Sequence, residues 1–109
     1  MLKTIQLPYV LDTVAIEEEF DDVTCEITGA PFDVKVEVIY EPGKSGLYLE
    51  LVSFRETLGG IMAKPATTEG ICGEIAVLLR PLYKDYSVRV TGTSEVHGKI
   101  AATAHIVHV

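Results

Sequence analysis

Period-two alternation on both sides of a helix-period segment, with dense turn clusters between, predicts an α+β fold for this sequence. Val34, Val36, Val38 and Tyr40 alternate with Lys35, Glu37 and Ile39, the pattern of a half-buried strand. Ile71, Ile75, Leu78, Leu79 and Leu82 recur at helical spacing, so that helix has one apolar face. With 109 residues, one domain is expected.

In chain order, residues 2–24 carry short apolar groups without a sustained period and read as an N-terminal arm holding at most a short strand or turn. The domain proper is expected over residues 24–109, leaving 1–23 as the arm. After the strand at 34–40, Glu41-Pro42-Gly43-Lys44-Ser45-Gly46 is rich in turn formers. Leu47, Leu49 and Leu51 then alternate with Tyr48, Glu50 and Val52, which predicts a second strand paired antiparallel with the first. Ser53 is positioned to cap a short helix through Arg55 and Leu58, stopped at Gly59-Gly60. Thr67 or Thr68 caps the main helix, with Glu69 in its first turn, where a carboxylate suits the helix dipole. Pro81 ends or kinks it. Tyr86, Val88 and Val90 form a third strand and residues 100–109 a fourth. The expected order is ββααββ, a four-stranded antiparallel sheet with helices on one face. Its other face and both edges need cover, and assembly through the edges provides it.

The net charge of −7 argues against a general nucleic-acid binder, but the acidity is local. Residues 1–26 carry −6 and residues 27–109 only −1, with Glu17-Glu18-Glu19-Phe20-Asp21-Asp22 supplying most of the excess. Such a run reads as a solvated face. No stretch approaches the ~20 apolar residues of a membrane span. The first residues lack the pattern of a secretory signal, and two cysteines make no disulfide framework. A cytoplasmic protein is expected.

The chemistry concentrates in Thr24-Cys25-Glu26-Ile27-Thr28-Gly29-Ala30-Pro31-Phe32-Asp33. Turn residues fix this segment's shape and hold a thiol there, with a carboxylate a few positions on to move protons. Free cysteines are more often buried packing. Cys72 reads that way, and a bridge between it and Cys25 would need their α-carbons within about 7 Å.

Cys25-x-x-Thr28-Gly29-x-Pro31, together with the ββααββ order, resembles the tunnelling-fold (T-fold) enzymes, specifically the QueF nitrile reductases. Ser53-Phe54-Arg55 is similar to that family's Ser-Phe-Arg. Glu69 and Cys72 resemble its His-Glu-x-Cys, with Thr68 where the histidine would stand. Gly92 and Gly98-x-Ile100 follow the glycines of its last turn. The likeness spans roughly residues 24–108. The basic string that serves NADPH in the reductases is replaced here by Gly43-Lys44-Ser45-Gly46-Leu47-Tyr48-Leu49-Glu50, and the arginine of the last turn by His97. This combination resembles the QueF-like archaeal branch, which needs no NADPH.

The resemblance implies a tRNA-modifying amidinotransferase that adds ammonia to the nitrile of 7-cyano-7-deazaguanine in tRNA, giving archaeosine. It implies Cys25 as nucleophile, forming a thioimide, and an aspartate, here Asp33, as proton donor; His97, as an imidazole able to exchange a proton near neutral pH, is the alternative donor. Asp33 stands one position later than the family's aspartate, and a one-residue shift in a strand turns a side chain to the other face. Glu69, Thr68, Ser53 and Phe54 are implied as substrate-binding, and a homo-oligomeric ring, a pentamer or a homodecamer of paired pentamers, as the assembly. Arg55, Lys64, Arg80, Lys84, Arg89 and Lys99 are the basic candidates for tRNA contact. An NADPH-dependent reductase and a non-catalytic module for purine-like ligands are the alternatives.

Overall fold

A computed structural model describes residues 1–96 and 98–109. It is an α+β fold with a four-stranded antiparallel sheet, a separate two-stranded sheet and two helices. The strands are β1 (Thr4–Gln6), β2 (Val14–Thr24), β3 (Pro31–Tyr40), β4 (Leu47–Leu49), β5 (Tyr86–Ser94) and β6 (Ile100–His108). The helices are α1 (Leu51–Met62) and α2 (Thr68–Leu79). The large sheet runs β2-β3-β5-β6, so its own elements keep the order ββααββ. Among the described residues, no helix is long and apolar enough to cross a membrane.

The first strand of that sheet is not the expected one. Residues 14–24, expected in the N-terminal arm, form β2 and pair along β3 from Val14↔Tyr40 to Thr24↔Pro31. A boundary at residues 23/24 therefore cuts the end of a sheet strand. The segment after the Glu41–Gly46 turn shortens to β4, which pairs with β1 rather than β3, Thr4 opposite Leu49 and Gln6 opposite Leu47. The hairpin is turned at Cys25–Ala30 instead. Two features hid β2. Its inward set includes Glu18, whose carboxylate bonds Arg55 of α1, and the Arg55 guanidinium also lies 4.5 Å over the Phe20 ring. The register then slips between Phe20 and Val23, with Asp22 at φ 56°. This irregularity moves the next inward apolar residue to Val23 and breaks the alternation.

The helices cover one face of the sheet, α1 over β2 and α2 over β5 and β6. Val34, Val36, Val38 and Tyr40 of β3 and Tyr86, Val88 and Val90 of β5 point into the core. They meet Phe54, Leu58 and Met62 from α1 and Ile71, Ile75 and Leu79 from α2. Each fully buried side chain of this size contributes about 1.5–3 kcal/mol. Gly70 and Gly73 cost about 1 kcal/mol each in helix propensity, so burial of the apolar face decides that α2 forms.

Thr67 caps α2, its hydroxyl accepting from the Gly70 N–H at 3.0 Å, and the helix closes at Arg80 just before Pro81. The cap of α1 is Glu50, not Ser53. Its carboxylate accepts from the Val52 and Ser53 N–H groups at 3.1 and 2.6 Å. The helix continues through Gly59-Gly60 because its far end, at Leu58 and Met62, is buried. Tyr40 and Tyr83 stack with centroids 4.2 Å apart. Their hydroxyls take up β4, Tyr40 accepting from the Leu49 N–H and Tyr83 donating to the Leu47 carbonyl.

Candidate active site

The β2–β3 hairpin loop builds one wall of a cavity of about 270 Å³ at the end of the sheet. The Cys25 N–H donates to the Ala30 carbonyl at 2.8 Å, closing the loop. The Gly29 N–H donates to the Cys25 carbonyl at 2.9 Å, so residues 25–29 make a single helical turn. Gly29 leaves that turn at φ 74°, in the left-handed region that its missing side chain allows. Cys25 thus occupies the position of a helix N-cap, where a side chain accepts from N–H groups two and three residues on.

The Thr28 hydroxyl, then the Thr28 and Ile27 N–H groups, hold the Cys25 thiol below its ordinary value, against desolvation and the nearby Glu26 carboxylate. A lowered thiol carries more of the nucleophilic thiolate at neutral pH.

The second wall comes from α2. Ala66, just before the helix, donates its N–H to the Thr24 carbonyl and accepts from the Glu26 N–H, both at 2.9 Å. This two-bond link sets the start of α2 beside Cys25, and Thr68 and Glu69 face the same cavity. Behind them Gly92 of β5 permits close packing. A β-carbon there would lie 2.4 Å from the Thr68 hydroxyl oxygen and 3.1 Å from the Phe32 ring. Phe32, Ile100 and Ala102 give the cavity its mostly apolar lining. Small-molecule sites commonly begin at roughly 300 Å³, so the space suits one small ring system.

The cavity therefore gathers Cys25, Thr68 and Glu69 from the residues singled out in the sequence. Asp33 lies elsewhere. The inward set of β3 is Phe32, Val34, Val36 and Val38, so Asp33 faces the opposite side. It borders a neighbouring cleft of about 570 Å³ with Asp22, Glu95 and Lys99, and its carboxylate accepts from the Asp22 N–H at the register slip. Ser53 and Phe54, expected to bind substrate, stand outside the cavity lining. Phe54 is fully buried in the core, and the Ser53 hydroxyl accepts from the Lys3 N–H at 2.9 Å, tying β1 to α1. His97 lies outside the described residues. Both cysteines are free thiols; burial pushes the Cys72 thiol up, and its sulfur rests on the Val88 carbonyl in the core.

Thr28 and Phe32 belong to the site without having been singled out as site residues. Their signal in the sequence was spacing: Thr28 sits three residues after Cys25, the distance of a capped N–H, and Phe32 two before the inward Val34. Among the described residues, no three His, Cys, Asp or Glu side chains converge as a metal-binding set. Neither the models of known protein families nor the curated proteins include one that matches this chain.

Proposed function

We propose that this protein is a tRNA-modifying amidinotransferase of the QueF-like branch of the T-fold family, converting the nitrile of 7-cyano-7-deazaguanine in tRNA to the amidine of archaeosine. One observation carries the reading: Cys25, at the start of a single helical turn, shares a small apolar cavity with a glutamate at a helix start. A deazaguanine edge offers ring N–H and exocyclic amine donors, and the Glu69 carboxylate is the acceptor for both.

In this mechanism the Cys25 thiolate attacks the nitrile carbon. A C–S bond forms, one C–N π bond breaks, and the nitrogen takes a proton to give a thioimide. Ammonia attacks the same carbon and loses a proton, and the C–S bond breaks to return the thiolate. When the co-substrate arrives as ammonium, it supplies both the nucleophile and the proton taken by the nitrogen. No hydride is transferred and no nucleotide cofactor is required. Asp33, facing the neighbouring cleft, has no part in these steps within one chain. The unpaired edges of the large sheet, β2 and β6, are the surfaces through which a ring of subunits would close.

The test is the intact mass of the reduced protein after mixing with 7-cyano-7-deazaguanine, without NADPH. The reading expects an adduct equal to the whole base, absent in Cys25→Ala. It also expects labelled ammonia to enter tRNA carrying the nitrile. NADPH consumption would instead indicate a reductase. Absence of any adduct, with free base or modified tRNA, would leave a non-catalytic binding module.

A further inference from the structure

We propose that the cleft beside the Cys25 cavity is a ribose subsite, in which Asp33 accepts from the 2′-hydroxyl of the nucleotide whose base lies against Cys25 and Glu69. The proposal rests on the function proposed above and names the sugar that the same site reads.

A cavity of about 270 Å³ holds one small ring system, so a sugar attached to that ring must lie beyond one of its walls. Much of the boundary is closed main chain. The hairpin turn is tied across from the Cys25 N–H to the Ala30 carbonyl, and Ala66 joins the loop to the start of α2 by two backbone bonds. Behind them Gly92 lies against Thr68 with no space for a β-carbon. The side toward the neighbouring cleft is different. Pro31, Phe32, Thr93, Ser94 and Ile100 line both the cavity and that cleft of about 570 Å³. A ligand that outgrows the first space across this shared wall enters the second.

The chemistry changes across the wall. On the cavity side Phe32, Ala66 and Ala102 are apolar. On the cleft side Asp33, Thr93 and Ala101 stand opposite one another across three strands, on the sheet face that the helices leave bare. Asp33 and Thr93 are exposed there. One oxygen of Asp33, Oδ1, accepts from the Asp22 N–H at 3.1 Å, which orients the carboxylate. Among the described residues, nothing donates to its other oxygen, and an ionised carboxylate can only accept. The partner it suits is a hydroxyl. Asp22, Asp33 and Glu95 outnumber Lys99 around the cleft, a balance that admits a neutral sugar and keeps the flanking phosphates outside. Within an RNA chain the 3′ and 5′ oxygens are taken up in phosphodiester links. The 2′-hydroxyl is the donor that the sugar has left, and it is the group that separates RNA from DNA.

The experiment is equilibrium titration of the full chain with free 7-cyano-7-deazaguanine, its ribonucleoside and its 2′-deoxyribonucleoside, in a Cys25→Ala background so that no adduct forms. The ribonucleoside is expected to bind roughly tenfold more tightly than the 2′-deoxyribonucleoside, the worth of one hydrogen bond to a charged acceptor. Asp33→Asn keeps an amide oxygen for the Asp22 N–H and is expected to remove most of that preference, with affinity for the free base unchanged. Asp33→Ala, at the same exposed position, should do likewise. Equal affinity for the two nucleosides, a preference that survives both substitutions, or a loss shared by the free base would each overturn the proposal. Equal affinities in a protein whose wild type still forms the nitrile adduct would remove the subsite alone. A chain that binds none of the three also has no such subsite. If its wild type forms no adduct with modified tRNA either, the proposed function falls with it.

Discussion

Gly92 lies so close beneath Thr68 that a β-carbon at position 92 would come within 2.4 Å of the Thr68 hydroxyl oxygen. The start of α2, and with it one wall of the cavity, rests against bare backbone of β5. Gly92→Ala is therefore expected to push Thr68 and Phe32 outward, destabilising the domain by about 1–3 kcal/mol in denaturant unfolding. Much of that loss should return in Gly92→Ala combined with Thr68→Ala, which removes the nearer of the two clashes. The double-mutant cycle reads the coupling directly.

The lowered thiol gives Cys25 a pH signature. Its thiolate forms as pH rises, so adduct formation should climb with a midpoint below the ~8.5 of a free cysteine. The same shift stabilises the folded chain above the ordinary thiol value, and this contribution fades as pH falls through the folded one. Rate against pH, measured beside Cys25→Ala as the blank, checks both the residue and the direction.

Glu69 faces the cavity from the first turn of α2. Glu69→Gln is expected to weaken binding of 7-cyano-7-deazaguanine by about ten- to a hundredfold, the loss of hydrogen bonds to a charged acceptor. Alkylation of Cys25 should be unaffected. Stability should change by no more than about 1 kcal/mol, the size of a carboxylate's interaction with a helix dipole. Equilibrium titration of the free base measures the first effect and unfolding the last.

Phe54 separates core from site. As a fully buried residue, its truncation in Phe54→Ala should cost about 3–5 kcal/mol. The milder Phe54→Leu should keep the fold and leave ligand affinity and Cys25 alkylation unchanged. A selective loss of affinity in Phe54→Leu would return the residue to the binding site.

Glu50 ties α1 to pH. The Ser53 N–H and hydroxyl, then the Val52 N–H, hold its carboxyl below the usual range. A depressed carboxyl stabilises the folded state above its unfolded value, and the contribution is lost as pH falls through the folded one. Glu50→Ala should accordingly lower Tm by a few degrees at neutral pH, with the gap to wild type closing in acid. Melting curves from pH 7 to pH 3 measure it.

The parts of this fold that were legible in the sequence are those where one periodicity runs without interruption. The inward set of β3 and the apolar face of α2 are continuous, and both stand where expected. β2 was obscured by Glu18, an inward carboxylate that only Arg55, on a distant helix, makes acceptable, and by the slip at Asp22. The short β4 was overextended because Leu51 continues the alternation of Leu47 and Leu49 although Glu50 already caps a helix. In the site, Cys25 and Glu69 were found as residue types in a suggestive order. That they share a cavity depends on backbone bonds between Thr24, Glu26 and Ala66, which side-chain identities do not announce. Asp33 faced away for a reason visible in the chain, its parity relative to Val34.

Those backbone bonds at Ala66 also bear on how such a site changes over generations. The nucleophile and the helix start are joined by main-chain groups alone, so no side-chain replacement at either end severs them, short of a proline at a donor position. The cavity's walls at Ile100 and Ala102 are free to vary in size and polarity while the distance across the site is inherited unaltered. A scaffold of this kind can exchange one ligand for another without first having to rebuild the geometry that makes its thiol useful.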